Sequence, residues 1–475
     1  MNELIKADIC VIGGGSAGLS VAAGASQMGA RTVLIESARM GGDCLNTGCV
    51  PSKSLLAAAK VAQTVRSGSR FGLMEVSPKI DMAVTNRYVS SVIATIAPHD
   101  SVERFTGLGC QVIEAQAKFV DSRTVAAGAT LIRARRFVIA TGSRASFPAI
   151  PGLNKVHFFT NENIFDNQIL PEHLIVIGAG PIGCEMAQAH RRLGSRVTVL
   201  DLARMLPKDD PEAVDVVRRM FFAEGIETTE SVEILRLEKR EGGLSVIIKS
   251  EGGERRIDGS HLLLATGRRP NLKHLNLDAA GVRYTPKGIE VDARLRTSNK
   301  RIFAAGDVIG GYQFTHMANY HAGIVIRNAL FRLPAKSNPK ALPWVTYTDP
   351  ELSQVGLTEA DARSKHGDSI RVLRADFSHN DRALADGAPQ GFLKAIVSKR
   401  GHILGATIVG PHAGELILPW VLAISKDLKI GDIANVIAPY PTLSEISKRA
   451  AGSYYTPALY SSRTRKLVRF LGVFG

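Results

Sequence analysis

The chain has 475 residues, 45% hydrophobic and 22% charged, with 59 lysines and arginines against 44 acids and a formal charge of +15. That length exceeds one ordinary core and predicts about two to four domains of soluble, globular composition. No run of about eighteen apolar residues marks a membrane span, and neither zinc-finger spacing nor an RNA-binding aromatic motif accompanies the basic charge, so no nucleic-acid partner is expected.

The first residues, MNELIKADICVIGGG, read as a strand and not as a signal peptide. The five cysteines, Cys10, Cys44, Cys49, Cys110 and Cys184, are few and odd in number. Both features point to a reducing, cytoplasmic setting and against a secreted disulfide framework. The apolar run Asp8–Ile12 predicts a buried strand. Gly13, Gly15 and Gly18 follow as G-x-G-x-x-G, then a helical stretch from Leu19 to Met28, then a second strand ending at Glu36. The glycines permit a tight turn and let a helix N-terminus approach a pyrophosphate, and Glu36 stands where a ribose hydroxyl is expected.

Cys44 and Cys49 lie in Gly41-Gly-Asp-Cys-Leu-Asn-Thr-Gly-Cys-Val-Pro51-Ser-Lys53. Pro51 and the alanine, leucine and lysine residues beyond it predict a helix starting near Cys49, whose N-terminus stabilises a thiolate. Lys53, one turn on, is placed to face the same centre. A structural disulfide does not suit a cytosolic chain. The spacing is wrong for a zinc pair and no matching Cys/His pair occurs elsewhere, so no metal site is expected.

The nucleotide unit is then written again. His173–Ile177 leads into Gly178, Gly180 and Gly183, a helix through Leu193, and a strand from Arg196 that ends at Asp201. Asp201 follows Gly178 by the same interval that separates Glu36 from Gly13. A carboxylate there bonds a ribose 2′-hydroxyl and repels a 2′-phosphate, which predicts NADH over NADPH, although Arg204 nearby softens the preference.

The stretch GGDCLNTGCVPSKSLL closely resembles the redox motif of the class I pyridine nucleotide–disulfide oxidoreductases, a family that includes dihydrolipoamide dehydrogenase, glutathione reductase and mercuric reductase. The resemblance extends over almost the whole chain, through Ala140-Thr-Gly-Ser143, Ala265-Thr-Gly-Arg-Arg-Pro-Asn271, Ala304-Ala-Gly-Asp307, Thr346–Glu351 and Gly405–Gly410. It implies an α/β fold with two Rossmann-like dinucleotide-binding domains and a C-terminal α+β dimerisation domain. The implied layout is an FAD domain at 1–150, an NAD(P) domain at 151–270, a return to the FAD domain at 271–345, and a dimer interface at 346–475. It further implies that FAD contacts Gly13, Gly15, Ser16, Ala17, Gly18, Glu36 and Ser37 in the first unit. Gly42, Asp43 and Lys53 join from the redox motif, with Ala117, Thr141, Gly142, Ser143, Gly306, Asp307, Met317 and Ala318 from later segments. The nicotinamide nucleotide falls to Gly178, Gly180, Ile182, Gly183, Asp201 and Gly267. By the same resemblance Cys49 is the thiolate beside the flavin, Cys44 is the thiol that meets the substrate, and Lys53 pairs with Glu185.

The chain departs from the dithiol-specific members near its C-terminus. They carry His-Pro-Thr followed by a glutamate, the histidine acting across the dimer as acid–base. Here the sequence is Pro439-Tyr440-Pro441-Thr442, with Glu445 retained. Histidine titrates near neutrality and tyrosine near ~10, so a tyrosine is a poor proton shuttle at neutral pH. Mercuric reductases look similar at this tyrosine, yet they usually end in a vicinal cysteine pair, and no cysteine follows Cys184. The leading expectation is an FAD- and NADH-dependent disulfide oxidoreductase of dihydrolipoamide dehydrogenase type, a homodimer acting on a small or protein-bound disulfide. Reduction of a metal ion, quinone or oxidant is the rival. From Ile446 onward six bases and no acid occur, and Arg463–Phe474 mixes bases with apolar residues. This tail either packs on its own protein or a partner subunit, or touches a membrane surface as part of a docked redox sensor or subunit.

Overall fold

A computed structural model describes residues 3–250 and 252–474. These divide into two compact units, Met1–Leu202 with Ser231–Asn338, and Ala203–Glu230 with Pro339–Gly475.

The first unit opens with strand β1 (Glu3–Ile12), helix α1 (Ser16–Gln27) and strand β2 (Thr32–Glu36). Helices α2 (Gly42–Asn46), α3 (Cys49–Arg66), α4 (Met82–Ile96) and α5 (Val102–Gly107) precede β3 (Cys110–Glu114). Strands β4 (Ala117–Asp121), β5 (Thr124–Ala127) and β6 (Thr130–Ile139) complete the run. The strand order is β3-β2-β1-β6-β5-β4, and Ile302–Ala304 returns from far along the chain to pair with β6. β1 runs parallel to both neighbours, Ile12 opposite Ile35 on one side and Ile139 on the other.

The pleat sends alternate residues of β1 to opposite faces. Ile9 and Val11 pack with Leu19, Ala22 and Ala25 of α1 and with Ala322 and Val325 of the helix Thr315–Ala329. Cys10 and Ile12 pack on the other side with Phe119, Phe137, Leu275 and Val282. Both faces are covered, so the apolar run is continuous where a half-exposed strand would alternate. A short strand β7 (Ser143–Ala145) leads to the second nucleotide unit: β8 (His173–Ile177), α6 (Pro181–Leu193) and β9 (Arg196–Leu200). β8 is parallel to β9 and to His261–Leu264, and all five of its residues are buried.

The second unit is built on a five-stranded antiparallel sheet, ordered Pro343–Thr346, Glu351–Gly356, Ile403–Gly410, Phe392–Ser398, Ile370–Asp376. Trp420, Ile446 and Ala450 fill the core against it. Lys394 is buried in this unit, and its ammonium meets Asp210 at 3.0 Å, Glu212 at 2.9 Å and Glu359 at 3.2 Å. Three carboxylates offset the desolvation that a lone buried lysine would suffer. Among the described residues no helix is long and apolar enough to cross a membrane.

Candidate active site

The two glycine turns superpose in their chemistry. Gly13 and Gly178 have φ of +110° and +111°, a region that L side chains avoid. The Gly13 N–H donates to Ile35 O and the Gly178 N–H to Leu200 O, each at 2.8 Å. A Cβ on Gly18 would lie 1.8 Å from Gly13 O, and one on Gly183 the same distance from Gly178 O. Each helix can therefore approach its strand only through glycine. α1 starts after Gly15 and α6 after Gly180, and no side chain caps either N-terminus. The acids at the strand ends close each turn from below: Glu36 accepts from the Gly14 N–H and Asp201 from the Ala179 N–H, both at 2.5 Å. Uncapped helix N-termini behind a glycine turn, with an acid at the next strand end, fit the pyrophosphate and ribose of a dinucleotide twice over.

Of the other residues that the resemblance assigns to FAD, Gly42 and Gly306 lie against the first turn and its helix. Ser16 and Ala17 open α1, Ser37 follows β2, and Ala117 begins β4. A Cβ on Gly42, in α2, would sit 2.7 Å from Gly15 Cα, so α2 rests directly on the turn. Gly306 lies between Ala17 and Ala318, a Cβ there being 3.4 Å from each of their Cβ atoms. Met317 is on the same helix as Ala318. Thr141 donates to Asn271 O at 2.8 Å beyond β6, Gly142 follows it, and Ser143 donates to Asp307 at 2.6 Å. Ile182 is on α6, and Gly267 lies between His261–Leu264 and Arg268–Pro270.

Cys49 is the first residue of α3, and Cys44 lies in α2; both are free thiols. Cys44, the Thr315 hydroxyl at 3.5 Å and the charge of Lys53 together lower the Cys49 thiol to about 6, against the desolvation that opposes ionisation. Cys49 and desolvation push the Cys44 thiol up. The opposite directions of the two shifts favour the charge of a singly ionised pair on Cys49, at a helix N-terminus that favours a thiolate. The other cysteines are all buried, and burial pushes the thiols of Cys10 and Cys110 up, leaving the pair as the reactive sulfur. Lys53 donates to Glu185 at 2.8 Å, so α3 and α6 are tied together; the Glu185 side chain is 5% exposed.

Two groups escaped the sequence reading. Thr315 stands two residues before Met317 at the start of its helix and touches Cys49. Arg268 is the more consequential. Its guanidinium donates to the Ser143 hydroxyl at 2.8 Å and backbone at 3.0 Å, meets Asp43 at 3.2 Å and stands 3.9 Å from Asp307. Asp43 also accepts from Thr47 at 2.8 Å and Asn161 at 3.0 Å. Burial raises the Asp307 carboxyl, and Arg268 and Ser143 oppose that rise. Its signal was in the quoted segment, an arginine directly after Gly267. Arg268→Met is expected to cost about 1–3 kcal/mol, less than a fully buried pair because Asp43 is partly solvated. Thermal unfolding of the FAD-loaded protein measures it.

Tyr440 and Glu445 belong to the second unit. Tyr440 is 71% exposed, and its hydroxyl donates to Asp381 at 3.1 Å. That hydrogen bond and the Asp381 charge raise the phenol above its ordinary value. Glu445 accepts from the Thr442 N–H at 3.4 Å.

A glycine-turn dinucleotide site written twice, beside two free cysteines of which one opens a helix, defines a flavin- and nicotinamide-dependent disulfide oxidoreductase. Residues 7–322 match the pyridine nucleotide-disulphide oxidoreductase family and residues 342–451 its dimerisation domain, and the chain belongs to that family. Its members use FAD and NAD(P)H. The chain is 35% identical over 446 residues to a mercuric reductase of Bacillus cereus, covering 93% of this chain and 70% of that one. It is 33% identical to a dihydrolipoyl dehydrogenase of Geobacillus stearothermophilus, covering 94% and 96%. The structure of a Cu(II) complex of the HOCl-induced flavoprotein disulfide reductase RclA of Escherichia coli matches with a TM-score of 0.85 at 26% identity, over 95% of this chain and 100% of that one.

Proposed function

We propose that the protein is an NADH-dependent reductase of thiophilic metal ions that works through Cys44 and Cys49. The observation that carries this reading is Tyr440, which stands in place of a histidine and donates its hydroxyl to the Asp381 carboxylate at 3.1 Å. A group that holds its proton more tightly than free tyrosine is unfit to take one from a substrate thiol near neutrality. A metal ion needs two sulfur ligands and electrons, and no proton delivered at a defined atom. Resemblance to mercuric reductases and to a copper-bound disulfide reductase supports the same substrate class.

FAD, when bound, accepts hydride from NADH and relays the electrons to the cysteine pair. The chain's own residues do the rest. Gly13 to Gly18 and Gly178 to Gly183 place the two nucleotides, and Asp201 selects the 2′-hydroxyl of NADH. Lys53 and Thr315 keep Cys49 as a thiolate, and Cys44 offers the second sulfur. The remaining cysteines are buried, so metal capture falls on this pair. In this reading the working species is a homodimer, formed through the dimerisation domain.

The test is NADH oxidation by FAD-loaded protein with Hg(II) or Cu(II) in excess thiol, beside lipoamide. Metal-dependent turnover with negligible lipoamide turnover is expected, and Tyr440→His is expected to raise lipoamide turnover about 10²-fold or more. Fast lipoamide turnover by the unaltered protein, with none on metals, overturns the reading in favour of a dihydrolipoamide dehydrogenase.

A further inference from the structure

The segment after residue 451 lies beyond the matched dimerisation domain, and the catalytic reading makes no use of it. It ends in a ten-residue helix, Ser462–Leu471, capped by the Ser461 hydroxyl on the Thr464 N–H. None of its ten residues is buried. Leu467, Phe470, Leu471 and Phe474 recur at the spacing of one helical stripe, and they are 54% to 75% exposed. The rings of Phe470 and Phe474 meet edge to face at 5.2 Å. Arg465 and Arg469, one turn apart, run along the opposite side, with Lys466 flanking them, while Arg463 stands one turn before Leu467 at the start of the stripe. A stripe of leucine and phenylalanine this exposed is costly in water, and the charged side states what would cover it.

We propose that this helix docks the enzyme on an anionic lipid surface. It lies in the plane of the interface, with Leu467, Phe470, Leu471 and Phe474 in the acyl boundary and Arg465, Lys466 and Arg469 among headgroup phosphates. Charge complementarity selects lipid over a second copy of the chain. The last acid is Glu445, and the chain carries +15 overall. Two tails packed on each other would therefore bring like charges together, whereas an anionic surface neutralises them. A ten-residue helix is also too short to span, so it can only lie on the surface.

The experiment is co-sedimentation of the full-length, FAD-loaded protein with phosphatidylcholine vesicles, with and without phosphatidylglycerol. Binding is expected only with phosphatidylglycerol, and it should weaken as salt rises. Each basic residue near such a surface strengthens binding about fivefold, so combining Arg465→Glu, Lys466→Glu and Arg469→Glu is expected to weaken it on the order of a hundredfold or more. Phe470→Ser with Leu471→Ser should also release the protein, and NADH-driven turnover in solution should be unchanged in both variants. Absence of binding to phosphatidylglycerol, or binding that survives deletion of residues 461–475, overturns the proposal. So does a deletion that dissociates the dimer in sedimentation velocity while vesicle binding is nil; the stripe is then a subunit contact.

Discussion

Gly18→Ala protein is expected to leave purification without FAD, whereas Gly183→Ala protein should keep its FAD and fail to be reduced by NADH. The two substitutions are chemically identical. In each, the added methyl meets a backbone carbonyl oxygen at 1.8 Å, Gly13 O in one case and Gly178 O in the other. Backbone cannot swing aside as a side chain can, so the helix must lift from its turn. Overpacking in a core costs typically about 1–3 kcal/mol, and a rigid neighbour puts these sites at or above the upper end. Displacing the helix N-terminus also moves the uncapped N–H groups that fit a pyrophosphate, so cofactor binding should suffer more than folding. Flavin absorbance of the purified protein reads the first variant. For the second, dithionite should still bleach the flavin while NADH does not, which separates loss of the nicotinamide site from loss of the fold. Loss of flavin from both variants, or from neither, would contradict the division of labour between the two turns.

These turns were legible because their physics is local. A positive φ at Gly13, a close approach at Gly18 and an acid at the strand end all fall within one β-α-β unit, so a single stretch of sequence carries the whole constraint. The α/β class followed from two such units, and the start of α3 at Cys49 was visible in Pro51 and the alanine-rich run behind it. The interactions that tune the site are of another kind. Lys53 and Glu185 lie 132 residues apart, and resemblance alone named them as partners. Arg268 draws Asp43, Ser143 and Asp307 from three separate segments, and no periodicity reports such a convergence. Asp381, which raises the Tyr440 phenol, precedes it by 59 residues and sits in an unremarked turn of helix. The sequence showed that a tyrosine stood where histidine was expected. Only the tertiary contact showed which way its proton affinity had moved.

The second large effect is expected at the cysteine pair itself. With the pair reduced, alkylation of Cys49 should follow a titration centred near pH 6, because the thiol is lowered to about 6. The sign is that of an acid held below its ordinary value of 9.0: the reactive thiolate dominates above pH 6 and is lost as pH falls through it. The largest contribution is the hydrogen bond from Cys44, followed among the favourable ones by Thr315 and Lys53. Cys44→Ala removes the first, leaves the desolvation that opposes ionisation, and should move the midpoint up toward the ordinary thiol range. A shift across that whole interval would cut the thiolate fraction at pH 7 by roughly a hundredfold. Cys44→Ser, which retains a donor, should hold the midpoint closer to the native one. Lys53→Met and Thr315→Val should each shift it by less, in the same direction. Mass-resolved alkylation of the holoenzyme across pH 4 to 10 provides the profile, a window from about two units below the expected midpoint to about four above it. An unshifted midpoint in Cys44→Ala would assign the low value to the N-terminus of α3 and to Lys53 instead. The Cys44 hydrogen bond would then play no part in holding the charge on Cys49.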